Sequence, residues 1–332
     1  MKIYTAELTN RSFCGIIIVY SVIREEVIHM YTKQILPGID LYLVCLCLAI
    51  LSALFIFRVM ADKEKLSAKL QNLCLYIAVG AIFFGYISAV FFQALYNIKK
   101  NGGFVINTST GATFYGGLIG GAALFLLLYF TIGKRMFPES REHVRSFFKV
   151  ADIAACSIAL AHAIGRVGCL MAGCCHGKRT NAWFGIYMDT GVRSLTGEVV
   201  LQKVVPTQLF ETIFLLVVLF YLISRIREKQ TYCLQLYMCI YGVWRFIIEY
   251  MRDDYRGTTL VDSLTPSQLI AVLMVLGGLA LIFLQKNLQT NLAFDEAPRA
   301  TSEGASVDET YEYEDEYDYD YGASSDKKDE EK

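Results

Sequence analysis

The sequence predicts an all-α polytopic membrane protein with seven transmembrane helices, a small extracytoplasmic hairpin inserted in one loop, and a disordered acidic C-terminal tail. Three observations carry that fold class. The 332-residue chain is 55% hydrophobic with a mean hydropathy of +0.40, more than an ordinary soluble domain carries. Its apolar residues are gathered into long charge-poor runs. Those runs mostly lack the polar face that a helix on a soluble core presents to water.

Residues 1–38 hold one apolar stretch, 13–23, of eleven residues, too short for a span that takes about 20. No small-residue cleavage site follows it, so it reads as a membrane-surface segment rather than a signal peptide. The seven-helix domain is expected over 39–285. Its first three runs, 41–57, 73–95 and 114–132, carry no charge. The fourth, 150–173, contains Asp152, His162 and Arg166, and the fifth, 209–223, contains Glu211. The sixth, 232–251, contains Arg245 and Glu249, and the seventh, 269–284, is short and uncharged. The loop insertion 174–207 includes WFGIYMDTGVRSLTGEVVLQKV, which reads as two short strands around a glycine-containing turn. Residues 286–332 include YEYEDEYDYDY, a composition that cannot bury a core and is expected to be disordered.

A formal net charge of −1 conceals an asymmetry: residues 295–332 carry a net −11 and the rest +10. A basic membrane body suits anionic lipid head groups; no nucleic-acid partner is expected. Loops 58–71, 133–149 and 225–231 hold twelve Lys and Arg in 38 residues, against eight in the 70 residues of the alternate loops. The dense set should be cytoplasmic, which puts the N-terminus outside and the tail inside.

With that orientation the charges converge in depth. Arg166 falls ~10 Å below the outer end of its run at 1.5 Å per residue. Glu211 is near the outer start of the fifth run, Arg245 and Glu249 are in the outer third of the sixth, and Tyr115 opens the third. Asp152 and Arg58 belong to the inner ends. Arg245, Glu249 and Arg252 are spaced to share one helix face. Two arginines at one depth form a natural phosphate clamp, since each can donate two parallel hydrogen bonds. The competing arrangement has Glu211 neutralise Arg166 and Glu249 neutralise Arg245. Arg166, Arg245 and Arg252 outnumber the two acids, which leaves room for an anion.

Shorter signals accompany these. P-[ST]-Q-L occurs twice, in VPTQLFE (205–211) and TPSQLIA (265–271), each a helix-start signal. Plain capping is the favoured reading for the second; the first helix carries the nearby acid Glu211. Gly117 and Gly121 give a small-xxx-small surface for helix contact. Cys169, Cys174, Cys175 and His176 cluster, but structural zinc sites use C-x₂₋₄-C pairs. Adjacent cysteines diverge on any regular backbone, so no metal is expected and the residues read as lining a tight helix end.

Several of these motifs, in this order, resemble the prolipoprotein diacylglyceryl transferase family. FYGGLIGG resembles its His-Gly-Gly-Leu-Ile-Gly element, VADIAA a helix-opening segment, and GRVGCLMAGCCHG its Gly-Arg-hydrophobic-Gly-Asn signature. PTQLFE resembles Pro-Ser-Gln-Leu-Tyr-Glu, and YGVWRFIIEYMRDD the element with an essential arginine and a glutamate. The resemblance covers about 73–284. It implies a seven-helix bacterial inner-membrane enzyme that transfers the diacylglyceryl group of phosphatidylglycerol to the lipobox cysteine thiol of preprolipoproteins, the first step of lipoprotein maturation, without a cofactor. Its partners would be that lipid and the preprolipoprotein signal peptides. Arg166 matches the phospholipid-contacting arginine, Arg245 the second arginine and Glu249 its partner acid, with Tyr115 at the catalytic histidine position. Gly116, Gly117, Gln208, Glu211, Tyr241 and Tyr96 fall on substrate-binding elements. Three positions depart from the pattern: Tyr115 replaces histidine, Cys169 the signature asparagine, and Cys174 the following acid. Those departures keep two alternatives open, a member diverted to another phospholipid head-group reaction and a non-enzymatic lipid- or metal-binding membrane protein.

Overall fold

The computed structural model describes residues 40–98, 103–107, 110–194, 196, 197, 199–253 and 264–296, with side chains as far as 288. It divides into two compact units, Met1–Leu288 and Gln289–Lys332, and the architecture below is that of the first. The surface segment expected over 1–38 lies outside the described residues, as does the tail expected over 286–332 from 297 onward; 286–296, expected to be disordered, are helical.

The elements run α1 (Leu41–Lys63), α2 (Ala68–Tyr96), α3 (Phe114–Met136), the single turn α4 (Glu142–Arg145), α5 (Phe147–Met171), β1 (Ile186–Arg193), β2 (Val199–Val204), α6 (Thr207–Arg227), α7 (Cys233–Ile248) and α8 (Pro266–Glu296). Six of these helices are long and apolar enough to cross a membrane: α1, α2, α3, α5, α6 and α8 over Pro266–Leu288. The remaining expected span, 232–251, is the 16-residue α7 followed by a 3-10 turn, Glu249–Met251.

Helix ends follow their local chemistry. Asp40 caps α1 by accepting from Leu43 N at 2.8 Å, and Ser67 caps α2 by accepting from Leu70 N at 3.2 Å. Before α8, Thr265 Oγ1 accepts from Gln268 N at 3.2 Å while Gln268 Oε1 accepts from Thr265 N at 3.0 Å. That is a reciprocal capping box, as TPSQ leads one to expect. The hairpin also forms: β1 and β2 are antiparallel with Ile186 opposite Val204, and the register slips between Asp189 and Arg193. Gly191, at φ +82°, supplies the left-handed residue there, and its N–H donates to Asp189 Oδ1 at 2.8 Å.

The outward faces are apolar. Phe55, Tyr76, Phe83, Phe220 and Phe283 are each at least 68% exposed, an aromatic surface suited to lipid rather than water. The core is built from small residues at helix crossings. α2 packs on α3, α1 on α5, and α5 on both α6 and α7. Ala155, Ala159 and Ala163 form a buried stripe on α5, so its neighbours approach closely. Asp152 Oδ1 accepts from Leu234 N at 3.1 Å, and His162 meets Tyr237 further along; α5 and α7 therefore run side by side in the same direction. Thr212, early in α6, donates to Ala163 O, late in α5, at 3.4 Å, so α6 runs the other way. Asp152 and Arg58 do lie at the opposite end of these helices from Arg166 and Arg245.

The glycine pair read as a packing surface meets α2. A Cβ on Gly121 would lie 3.1 Å from Ala81 O, one on Gly117 3.1 Å from Gly85 O, and one on Gly85 3.0 Å from Gly117 O. Those neighbours are backbone and cannot swing aside. Gly121→Leu should therefore wedge α2 from α3 and destabilise the protein by ~1–3 kcal/mol, the usual range for overpacking. Thermal melting in detergent checks this, against Gly80→Leu, where nothing lies within 4 Å of the added Cβ.

Candidate functional site

The C-terminal ends of α5 and α7 and the start of α6 bury a set of polar groups that hydrocarbon would otherwise exclude. Glu211, one turn into α6 and fully buried, is the hub. Its Oε1 lies 2.8 Å from Arg166 Nη2 of α5 and accepts from Tyr241 OH of α7 at 2.7 Å. His162 Nε2 is 3.8 Å from the same oxygen, and His162 Nδ1 is 3.0 Å from Tyr237 OH. The rings support these contacts: His162 sits edge-on to Tyr241 at 4.7 Å, and Tyr237 stacks on Tyr241 at 5.9 Å.

A second pair lies at the end of α7. Arg245 Nη2 is 2.8 Å from Glu249 Oε2 and donates to Ser267 Oγ on α8 at 2.9 Å. Glu249 Oε1 accepts from Thr265 Oγ1 at 3.1 Å. Arg252 Nε is 3.8 Å from Glu249 Oε2, so Arg245, Glu249 and Arg252 do face one another although the helix tightens at Glu249. The two clusters are near enough that Arg245 acts electrostatically on both Glu211 and His162.

Each arginine is thus neutralised by a carboxylate, where the sequence also allowed an unpaired clamp. The physical reason is the cost of an isolated charge at low dielectric. Neither guanidinium is used up. Each reaches its carboxylate through Nη2, and Arg166 Nε and Arg245 Nη1 stay buried without a hydrogen-bond partner. A buried donor left unmade costs ~1–3 kcal/mol. Three arginines against two glutamates leave the cluster one positive charge in excess.

The loop after α5 is tied over this cluster. Gln208 Nε2 donates to Cys174 O, and Thr207 Oγ1 donates to Cys175 O at 2.8 Å. Gly177 N donates to Val205 O and Lys178 N to Met251 O, both at 2.8 Å. Three segments cross at Gly177, where a Cβ would lie 2.6 Å from Met251 O. The Cys169, Cys174 and Cys175 sulfurs all lie within 4.8 Å of one another. The objection that adjacent cysteines must diverge fails because the backbone is not regular: Gly173 has φ +67° and Cys175 φ +64°.

Other residues singled out by sequence lie elsewhere. Gly116 packs against Phe92 and Gly117 against Gly85, so both serve the α2–α3 crossing. Tyr115 is half-buried at the start of α3, with its ring 5.6 Å from Phe114; among the described residues no hydrogen bond joins it to the arginine pairs. Tyr96 is 70% exposed. Conversely, His162, Tyr237, Thr265 and Ser267 join the site. The spacing of four between His162 and Arg166 is the signal that would have found the histidine. Thr265 read only as a cap, and it does cap, but it also holds Glu249, while Ser267, read only as part of the repeated motif, holds Arg245.

A family model described as prolipoprotein diacylglyceryl transferase matches residues 32–284. The phosphatidylglycerol–prolipoprotein diacylglyceryl transferase of Clostridium tetani is 34% identical over 185 residues, 55% of this chain and 68% of the relative. Its Clostridium perfringens counterpart, numbered 2, is 32% identical over 179 residues, 53% of this chain and 63% of the relative, so just under two thirds of that protein is spanned. The Campylobacter hominis enzyme of the same name is 27% identical over 272 residues, 75% of this chain and 88% of the relative.

The geometry makes Glu211 a structural as well as an electrostatic centre. Glu211→Gln leaves the Arg166 charge buried without its counter-ion and should destabilise the protein by ~3–5 kcal/mol, the range for breaking a buried pair. Tyr241→Phe, which removes one hydrogen bond and no charge, should cost ~1 kcal/mol. The two melting temperatures in one detergent check the ranking.

Proposed function

The chain belongs to the prolipoprotein diacylglyceryl transferase family, and from that premise we propose that the outer arginine cluster is where phosphatidylglycerol is gripped and cleaved. The protein is a multi-pass membrane transferase. It moves the diacylglyceryl group from phosphatidylglycerol to the lipobox cysteine thiol of preprolipoproteins, the first step of lipoprotein maturation.

In this reading the chain spans the bacterial inner membrane seven times. α7 and its 3-10 turn together extend ~30 Å at 1.5 and 2.0 Å per residue, the thickness of a hydrocarbon core. The hairpin and the Arg166 cluster face outward, with the basic loops and the acidic tail in the cytoplasm. Trp183, 91% exposed beside Phe184, then sits at head-group level, where tryptophan is enriched.

The chemistry is a displacement at carbon. The substrate thiol loses its proton, its sulfur bonds to the glyceryl carbon, the C–O bond to phosphate breaks, and glycerol phosphate leaves with the bonding pair. Charge therefore grows on the phosphate in the transition state. Arg166 Nε and Arg245 Nη1, the buried donors left over from the ion pairs, are the observation that carries the proposal. Donors fixed at a growing charge stabilise the transition state more than the ground state. Glu211 and Glu249 hold the guanidiniums still, so the grip needs little reorganisation when the charge arrives. Tyr115, whose hydroxyl can donate a hydrogen bond, serves in this reading as a donor to lipid rather than as a base.

Arg166→Lys and Arg245→Lys keep the charge but lose the planar fork. Each should lower kcat by at least ~100-fold, the loss seen when one preorganised donor is removed. The assay is labelled phosphatidylglycerol with a lipobox peptide, read as thioether product, on variants whose melting shows them folded. Either lysine variant running at the wild-type rate would remove the clamp from the mechanism.

A further inference from the structure

The three cysteines beside the arginine cluster have no part in the reaction as derived. They come together only because the chain takes an unusual path. Cys169 closes the last turn of α5, one turn past Arg166, and the chain then turns back through Gly173 at φ +67°. Cys175 is itself left-handed at φ +64°, a conformation that is strained for a non-glycine residue and concentrates at functional sites. The turn is held from outside by Gln208 on Cys174 O and Thr207 on Cys175 O. The result is three reduced thiols within 4.8 Å of one another. Tetrahedral zinc with Zn–S bonds of about 2.3 Å sets its sulfurs about 3.8 Å apart, so a contraction of about 1 Å completes the site. Cys169 and Cys175 are half-buried and Cys174 is exposed, which gives an ion a way in. His176 directs Nδ1 to Gly177 O at 3.0 Å and is not part of the sulfur group.

We propose that Cys169, Cys174 and Cys175 form a three-thiolate site for a thiophilic divalent cation of the zinc type, with the fourth coordination position left to an exogenous thiolate. Three protein ligands plus one open position is the arrangement of catalytic rather than structural zinc. Soft thiolate donors select such ions over magnesium or calcium. The exogenous ligand is the cysteine of the acceptor peptide, an assignment that rests on the transferase reading, whereas the metal site does not. On binding, the incoming thiol releases its proton to water, since a coordinated thiol is deprotonated. The metal-held sulfur then attacks the glyceryl carbon as the C–O bond breaks. The site lies where the family pattern has an asparagine and an acid, and Cys169 is close enough to Arg166 for their charges to interact, so nucleophile and phosphate grip adjoin.

The full-length protein in detergent, stripped with a chelator and kept reduced, is titrated with Co²⁺ as the probe. The expected result is about one equivalent per chain, with thiolate-to-cobalt charge-transfer absorption and the visible spectrum of a tetrahedral ion. Cys174→Ser and Cys175→Ser, which disturb no helix, should each weaken uptake at least ~10-fold and lower the charge-transfer intensity per bound cobalt, with melting unchanged. A lipobox peptide should then shift the visible spectrum, and the same peptide with serine for cysteine should not. Uptake unaffected by both serine variants, or no uptake by the reduced protein, would overturn the metal site. Cobalt uptake with a spectrum indifferent to the cysteine peptide would overturn the acceptor role. Labelled-lipid turnover by the metal-free protein at the wild-type rate would also overturn that role, and it would leave the transferase reading intact.

Discussion

The buried contact between Arg166 and Glu211 is the constraint around which one end of the α5, α6 and α7 bundle is organised. A guanidinium at that depth in an apolar bundle persists only if a counter-charge is buried with it. Glu211 supplies the charge from an antiparallel neighbour, and Tyr241 fastens the same oxygen from a third helix. One carboxylate oxygen thereby fixes the relative depth of α5, α6 and α7. The alanine stripe on α5 serves the same contact, because side chains this short let the helix axes approach until an arginine and a glutamate can touch. At the other end Asp152, bonded to the start of α7, fixes the same register a second time.

Neutralising an arginine does not exhaust it. The guanidinium carries five N–H donors, and each carboxylate here takes Nη2 alone. Arg166 Nε and Arg245 Nη1 are left buried without a partner, so in the proposed reaction one side chain can serve both a resting ion pair and a phosphate grip. The pairing also removes the objection that an unpaired arginine would face in lipid before its substrate binds.

The residues on the family's glycine element behave differently from expectation. Gly116 and Gly117 are spent on the α2–α3 crossing, and Tyr115 stands apart from the arginine pairs. The departures from the family pattern at Cys169 and Cys174, by contrast, fall together in one turn next to Arg166 and are joined there by Cys175. A change of residue type at two positions thus becomes a change of local chemistry, because the left-handed backbone at Gly173 and Cys175 folds those positions onto a common point.

Much of the architecture was legible without coordinates. Hydrophobic runs identified the six helices long and apolar enough to cross a membrane, since the lipid-facing side of such a helix is apolar. Turn residues marked the hairpin formed by Ile186–Arg193 and Val199–Val204, and counting 1.5 Å per residue put Arg166, Glu211, Arg245 and Glu249 at one level. These are local or one-dimensional properties, and sequence determines them directly. Sequence left open whether the arginines would be clamped by acids or left for a ligand, and it missed His162, Tyr237 and the second task of Thr265 and Ser267. It also misjudged the cysteines, because adjacency forbids convergence only on a regular backbone. Those outcomes depend on which helix faces meet and at what rotation, and on two left-handed residues in a turn. Only packing of the whole bundle decides them, since a side chain's partner is set by distances through space that no spacing along the chain records.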